Sequence, residues 1–214
     1  MCGIAGFINL DRAPADPAVL ARMSDLIRHR GPDDRGLVTW SLADGMAREV
    51  SGDTGAVRGA DSGIGFHRLK ILDLSEHGHQ PMMNADRSVM IAFNGEVYNA
   101  FDFTRELEAA GFRFRSRSDT EVVLYLYEHY GLEGMLERLN GMFAIVIADF
   151  RSREVHVVRD HFGIKPIYWT RAGAALLFAS EAKAFLGHPA FQPAVDPALV
   201  DEYLAFRYVS GDQS

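Results

Sequence analysis

The one cysteine of the 214 residues stands second, behind Met1 and ahead of Gly3-Ile4-Ala5-Gly6. A thiol is a weak nucleophile until a base takes its proton, and an α-amine, with a pKa of about 7.7–8.0, is suited to that task near neutrality. Cysteine at a mature N-terminus therefore carries nucleophile and base in one residue, provided Met1 is cleaved, and the small Cys2 side chain favours cleavage. A retained Met1 would turn the amine into an amide nitrogen that accepts no proton. On position alone, an ordinary buried cysteine is the commoner explanation.

Other residue groups offer chemistry and a plainer reading side by side. Asn94-Gly95 supplies a side-chain amide and a backbone N–H, or is simply a turn after the strand Val89–Phe93. In Ser118-Asp119-Thr120-Glu121, Asp119 is an acceptor without a competing positive charge, or more commonly the N-cap of a helix start. Arg68 offers a planar fork for a carboxylate or a surface ion pair. His77-Gly78-His79 lacks a third ligand at a sensible spacing, so a loop is expected there and no metal site.

Composition narrows the function classes. A net charge of -7 argues against nucleic acid or an anionic membrane as partner. The longest strongly apolar run, Met142 to Ala148, is far short of the roughly 20 residues that cross a bilayer. The opening residues resemble no secretory leader, and a lone cysteine forms no internal disulfide, so a cytoplasmic protein is expected.

The elements that must position these residues follow from periodicity. Ile4, Phe7 and Ile8 predict a strand with Cys2 at its start, and Val19, Met23, Leu26 and Ile27 a helix opened by Asp16-Pro17 and ended before Gly31-Pro32. Further strands are predicted at Gly36–Trp40, from Ile64 up to Asp73, and at Val89–Phe93, Phe143–Phe150, Glu154–Arg159, Ile167–Thr170 and Ala175–Ala179. Helices are predicted around Phe103–Ala110, over Asp119–Tyr130 and from Asp196-Pro197 through Tyr203; 41–62 reads as a surface hairpin or insertion. Paired strands with helices in blocks predict an α+β fold of antiparallel sheets.

Taken together, Met-Cys-Gly-Ile-Ala-Gly, Arg28-His29-Arg30-Gly31-Pro32-Asp33, Phe93-Asn94-Gly95-Glu96 and Ser118-Asp119-Thr120-Glu121 resemble the class II glutamine amidotransferases. The segments His67–Asp73, Gly78–Met82, Arg159–Pro166 and Phe178–Lys183 resemble the glutamine-hydrolysing asparagine synthetase branch. The resemblance spans nearly the whole chain and implies the N-terminal-nucleophile hydrolase fold, a four-layer αββα sandwich of two antiparallel sheets. It implies Cys2 as nucleophile, with Asn94 and Gly95 as oxyanion hole. It also implies Arg68 on the substrate α-carboxylate, Glu96 and Asp119 on the α-ammonium, and Leu69, Ile71 and Leu72 as pocket wall, the last two with core side chains. His29–Asp33 and Asp160–Pro166 are expected to shape loops and take no catalytic step.

The implied reaction is hydrolysis of L-glutamine to glutamate and ammonia through a Cys2 thioester, with no cofactor in this domain. Residues 1–208 would form the glutaminase domain and 209–214 the start of a linker to a synthetase domain or subunit. That partner would hold ATP and Mg, because this chain lacks a Ser-Gly-Gly-x-Asp-Ser loop. The 41–62 stretch resembles longer bacterial relatives, some acting on surface sugars, so the acceptor carboxylate is either aspartate or a sugar acid. A homodimer is left open. Two rivals stand beside this reading: a non-catalytic glutamine-binding or subunit-interaction module, and a self-activated hydrolase of another amide.

Overall fold

A computed structural model describes residues 1–41, 43, 46–49 and 59–210. Among the described residues, ten strands form two antiparallel sheets. The first has the order β3-β2-β4-β1-β10-β9, with β1 Gly3–Asn9, β2 Asp34–Ser41, β3 Met46–Glu49, β4 Ser62–Arg68, β9 Tyr168–Ala172 and β10 Ala175–Ala179. The second has the order β5-β6-β7-β8, with β5 Met82–Met83, β6 Val89–Val97, β7 Gly141–Asp149 and β8 Glu154–Arg159. The α-helices among the described residues are α1 Pro17–Asp25, α2 Thr104–Ala109, α3 Asp119–Arg138 and α4 Val200–Phe206, with short 3-10 turns between elements.

Side-chain alternation explains the layering, since successive residues of a strand face opposite sides. Ile4 of β1, Phe66 of β4 and Phe178 of β10 meet Met90 and Ala92 of β6 and Val146 of β7 in an apolar layer between the sheets. The opposite faces of β1 and β10, with Phe7 and Leu177, pack on Leu20 and Met23 of α1. Ile91, Phe93, Ile145 and Ile147 on the outer face of the second sheet pack on Leu107 of α2 and Val123 and Leu126 of α3. This is the expected αββα order. It also explains why β7 is apolar without alternation, both its faces being covered.

Four local expectations are corrected. β6 does not break at Asn94-Gly95 but runs on to Val97, with Gly95 opposite Phe143. A Cβ at Gly95 would overlap the Met142 carbonyl oxygen and Phe143 Cα, so this glycine serves close strand approach instead of a turn. β4 stops at Arg68, short of Asp73, because Asp73 and Ser75 build a turn there. Ile71 and Leu72, expected in the core, are 67% and 45% exposed on the loop that follows. The N-cap of α3 is Ser118, whose hydroxyl accepts the Thr120 N–H at 3.1 Å, so Asp119 is left free for another partner.

α3 kinks at Gly131, whose φ of 71° is left-handed, one residue past the predicted helix end. Of the 41–62 stretch, β3 pairs with β2 as a hairpin, while 42, 44, 45 and 50–58 lie outside the described residues, as do 211–214. Among the described residues no helix is long and apolar enough to cross a membrane.

Phe178 is fully buried between the sheets. Phe178→Ala is expected to lower stability by about 3–5 kcal/mol through lost burial and a residual cavity. Urea unfolding checks this as a lower midpoint at unchanged slope.

Candidate active site

Cys2 precedes β1, and the pairing of Gly3 with His67 sets it beside the end of β4. There the Leu69 N–H donates to Cys2 Sγ at 3.4 Å, and Sγ lies 3.8 Å from the Leu69 carbonyl oxygen. Burial pushes the thiol above its ordinary value; the Leu69 bond, the positive N-terminus, Arg68 and Arg30 pull against that without cancelling it. In this environment the thiol needs a base at close range.

A cleft of about 450 Å³, part of it open solvent, begins at Cys2. Arg68, Leu69, Ile71, Leu72 and Asp73 line it from the end of β4 and the following loop. Phe93, Gly95 and Glu96 line it from β6, and Ser118, Asp119 and Thr120 from the start of α3, with Gln80 between. The structure thus brings together eight of the nine residues expected at the site. The ninth, Asn94, does not line the cleft but is buried beside Gly95.

The direction of Asn94 follows from β6 itself. Met90 and Ala92 face the first sheet, so Asn94, two residues further, faces the same layer, against which Cys2 also packs. Its Nδ2 is buried and has no hydrogen-bond partner among the described residues. A buried amide left this way costs on the order of 1–3 kcal/mol. Such a donor is suited to a negatively charged oxygen arriving from outside the chain.

Arg68 is buried, and only part of its fork is occupied: Nη1 donates to the Ser75 carbonyl at 3.1 Å and Nη2 to the Asp73 carbonyl. Of its five N–H donors, three have no partner among the described residues. Asp119 Oδ2 accepts the Val97 N–H at 3.1 Å. Burial foremost, with Glu96 as a like charge, pushes Asp119 up to about 6 against the bonds from Val97 and Thr120. A cation at the cleft would restore its charge.

Three residues carry more of the site than the sequence reading gave them. Gln80 accepts the Phe93 N–H at 2.6 Å and donates to Thr120 Oγ1 at 3.1 Å, tying β6 next to Asn94 to the start of α3. Arg30 donates from Nε to the Cys2 carbonyl oxygen at 2.8 Å and from Nη1 to Glu181 at 2.9 Å. Asp160 accepts from the backbone N–H groups of Phe143, Phe162, Ile164 and Lys165, anchoring the 160–166 loop to the residue opposite Gly95. Gln80, Arg30 and Asp160 all lie in segments whose pattern is visible in the sequence, but the partners of Gln80 and Arg30, and Phe143 among those of Asp160, are distant along the chain. His79 pairs with Asp34 at 2.8 Å, and no set of three His, Cys, Asp or Glu residues fit for a metal occurs among the described residues.

Residues 1–214 match the sequence model of a glutamine amidotransferase domain. The chain belongs to that family. It is 38% identical over 194 residues to asparagine synthetase [glutamine-hydrolyzing] 2 of Bacillus subtilis strain 168, covering 88% of this chain and 23% of that protein. It is 35% identical over 212 residues to asparagine synthetase [glutamine-hydrolyzing] 1 of the same strain, covering 98% of this chain and 30% of that one. The domain therefore spans roughly a quarter to a third of the length of these curated relatives. Among solved structures it resembles the glutamine phosphoribosylpyrophosphate amidotransferase of B. subtilis, with a TM-score of 0.70 at 25% identity over 86% of this chain and 43% of the other. The N-terminal-nucleophile hydrolase fold is thereby established for the domain.

The raised Asp119 has a consequence for stability. A carboxyl at about 6 in the folded state and 3.8 outside it binds its proton more tightly when folded, so that stabilisation is present below pH 4 and lost as pH rises through 6. Asp119→Asn is therefore expected to be more stable than the parent at pH 8, by roughly 2–3 kcal/mol, with the gap closing by about pH 4. Chemical unfolding of both proteins at the two pH values checks it.

Proposed function

We propose that the domain hydrolyses L-glutamine to glutamate and ammonia through a γ-glutamyl thioester on Cys2. One juxtaposition supports this most: the thiol of Cys2 and the charge pair Arg68 and Asp119 line a single cleft, with the unpartnered amide of Asn94 buried beside its Gly95 wall. An α-amino acid carries one charge of each sign on one carbon, and a partly occupied guanidinium with a buried carboxylate answers both. A simple acyl amide would leave both without a partner.

The steps follow from these groups. With Met1 removed, the Cys2 α-amine takes the thiol proton, and Sγ attacks the glutamine amide carbon. Negative charge develops on the carbonyl oxygen, where the Asn94 amide and the Gly95 N–H donate to it. The amine passes the proton to the departing nitrogen, releasing ammonia and leaving the thioester. Water then adds to the same carbon, giving its proton back through the amine to the sulfur, and glutamate leaves. Glu96, exposed at the rim, joins Asp119 in holding the α-ammonium.

In the longer protein, ammonia would pass to a synthetase region that activates an acceptor carboxylate with ATP and Mg. The asparagine synthetase names of the Bacillus relatives support asparagine synthesis, with aspartate as acceptor. No residue of this domain is assigned to the ATP step.

Glutamate release from glutamine tests the reading. Cys2→Ala is expected to abolish it at unchanged circular dichroism, and Asn94→Ala to slow it by about 100- to 1000-fold with little change in KM. Glutamine binding by the processed parent without any turnover would instead identify a non-catalytic module.

If Asp119 holds the α-ammonium as a carboxylate, KM for glutamine is expected to rise as pH falls through about 6, in addition to the fall in kcat that protonation of the Cys2 α-amine brings. A KM that is flat from pH 8 to pH 5 would remove Asp119 from substrate binding.

A further inference from the structure

Resting on that reading, we infer that Asp73 is a positioning residue that sets the spacing between Arg68 and Asp119, and so the preference of the cleft for an α-amino acid. Its carboxylate is buried, and both oxygens are engaged. Oδ1 accepts the Ser75 N–H at 2.8 Å and the Ser75 hydroxyl at 2.6 Å, closing the turn after β4. Oδ2 crosses to the other side of the cleft and accepts the Arg117 N–H at 2.8 Å, two residues before Asp119.

The same turn steers Arg68. The two carbonyl oxygens that hold the Arg68 guanidinium belong to Asp73 and Ser75, the residues the Asp73 carboxylate binds together. Gly78 lies against that guanidinium so closely that a Cβ there would overlap it, which leaves the fork little room to shift. One carboxylate thus fixes the group facing a substrate carboxylate and, through Arg117 and the Ser118 cap, the start of the helix whose carboxylate faces an ammonium. The two substrate charges are attached to a single carbon, so their recognition depends on this spacing.

Burial works against the Asp73 charge, yet the hydrogen bonds from Ser75 and Arg117, with Arg68 nearby, hold the carboxyl down at about 2. The clamp is therefore charged throughout the working pH range. Asp73→Asn keeps an acceptor for Ser75 but turns an NH2 toward the Arg117 N–H, breaking the cross-cleft bond with almost no change in volume.

The test measures binding of glutamine and of glutaramate, which lacks the α-amine, by titration calorimetry in a Cys2→Ala background, where no turnover intervenes. Asp73→Asn is expected to weaken glutamine binding at least tenfold and glutaramate binding by no more than threefold, eroding the preference between them. In the active enzyme the same substitution is expected to raise KM at least tenfold with a smaller fall in kcat, a split that general loss of structure would not produce. Should Asp73→Asn not fold, Asp73→Glu, whose longer arm cannot meet Ser75 and Arg117 together, is expected to show the same loss of preference. A parent that binds glutamine, with variants that bind it within twofold and keep the preference, overturns the clamp alone. A parent that binds no glutamine overturns the functional reading and the clamp with it.

Discussion

β1 is paired along both edges, to β4 from Gly3 opposite His67 and to β10 from Ala5 opposite Ala179, and it is locked at its start by Ser180, which exchanges hydrogen bonds with Ile4. Chain ends ordinarily fray. Here the double pairing holds the residue before Gly3 at the end of β4, where the Leu69 N–H reaches its sulfur, so a thiol that would otherwise wander becomes a fixed reactant. The rest of the site is arranged around that point: the end of β4 lies alongside it, and the second sheet brings the Asn94 face of β6 against the same layer.

The price of this arrangement is polar groups in poor surroundings. Cys2 is raised by burial, Asn94 leaves a donor unmatched, and Asp119 holds a carboxyl near 6. Each loses stability in the empty protein, and each improves when a ligand with an electrophilic carbon, a developing oxyanion and an ammonium group enters. Local rules broken together at one cleft mark a site under functional constraint rather than a packing defect. Nearby structural carboxylates behave in the opposite way: Glu181 is held down to about 2 by Arg30, Lys183 and His29, whose bonds outweigh its burial. That difference separates the groups that await a partner from those already paired.

Much of the fold was legible wherever one periodicity dominated. The apolar runs of β7 and β10 and the helical face Val122, Val123 and Leu126 all led to the observed elements, and the family motifs led to the αββα order. The site was legible as a set of residue types, eight of the nine meeting at one cleft. Local pattern misled where a tertiary partner decided the outcome. Asn94-Gly95 looks like a turn, but Gly95 is small to let β7 approach; Ile71 and Leu72 look like core, but the Asp73 turn lifts their loop to the rim. Gln80 and Arg30, and Asp73 in its bond to Arg117, reach partners 13 to 151 residues away, separations that no local periodicity encodes.

The central claim is that the thiol of Cys2, bearing its own free amine, is the attacking group. Mass mapping of the protein after reaction with a glutamine-shaped electrophile tests it most directly, since it reads the labelled atom and the state of the N-terminus in one peptide. The account predicts a single adduct on Cys2, confined to chains that have lost Met1 and suppressed by glutamine. Glutamate release accompanied by labelling of another residue, or equal labelling of chains that retain Met1, would contradict it.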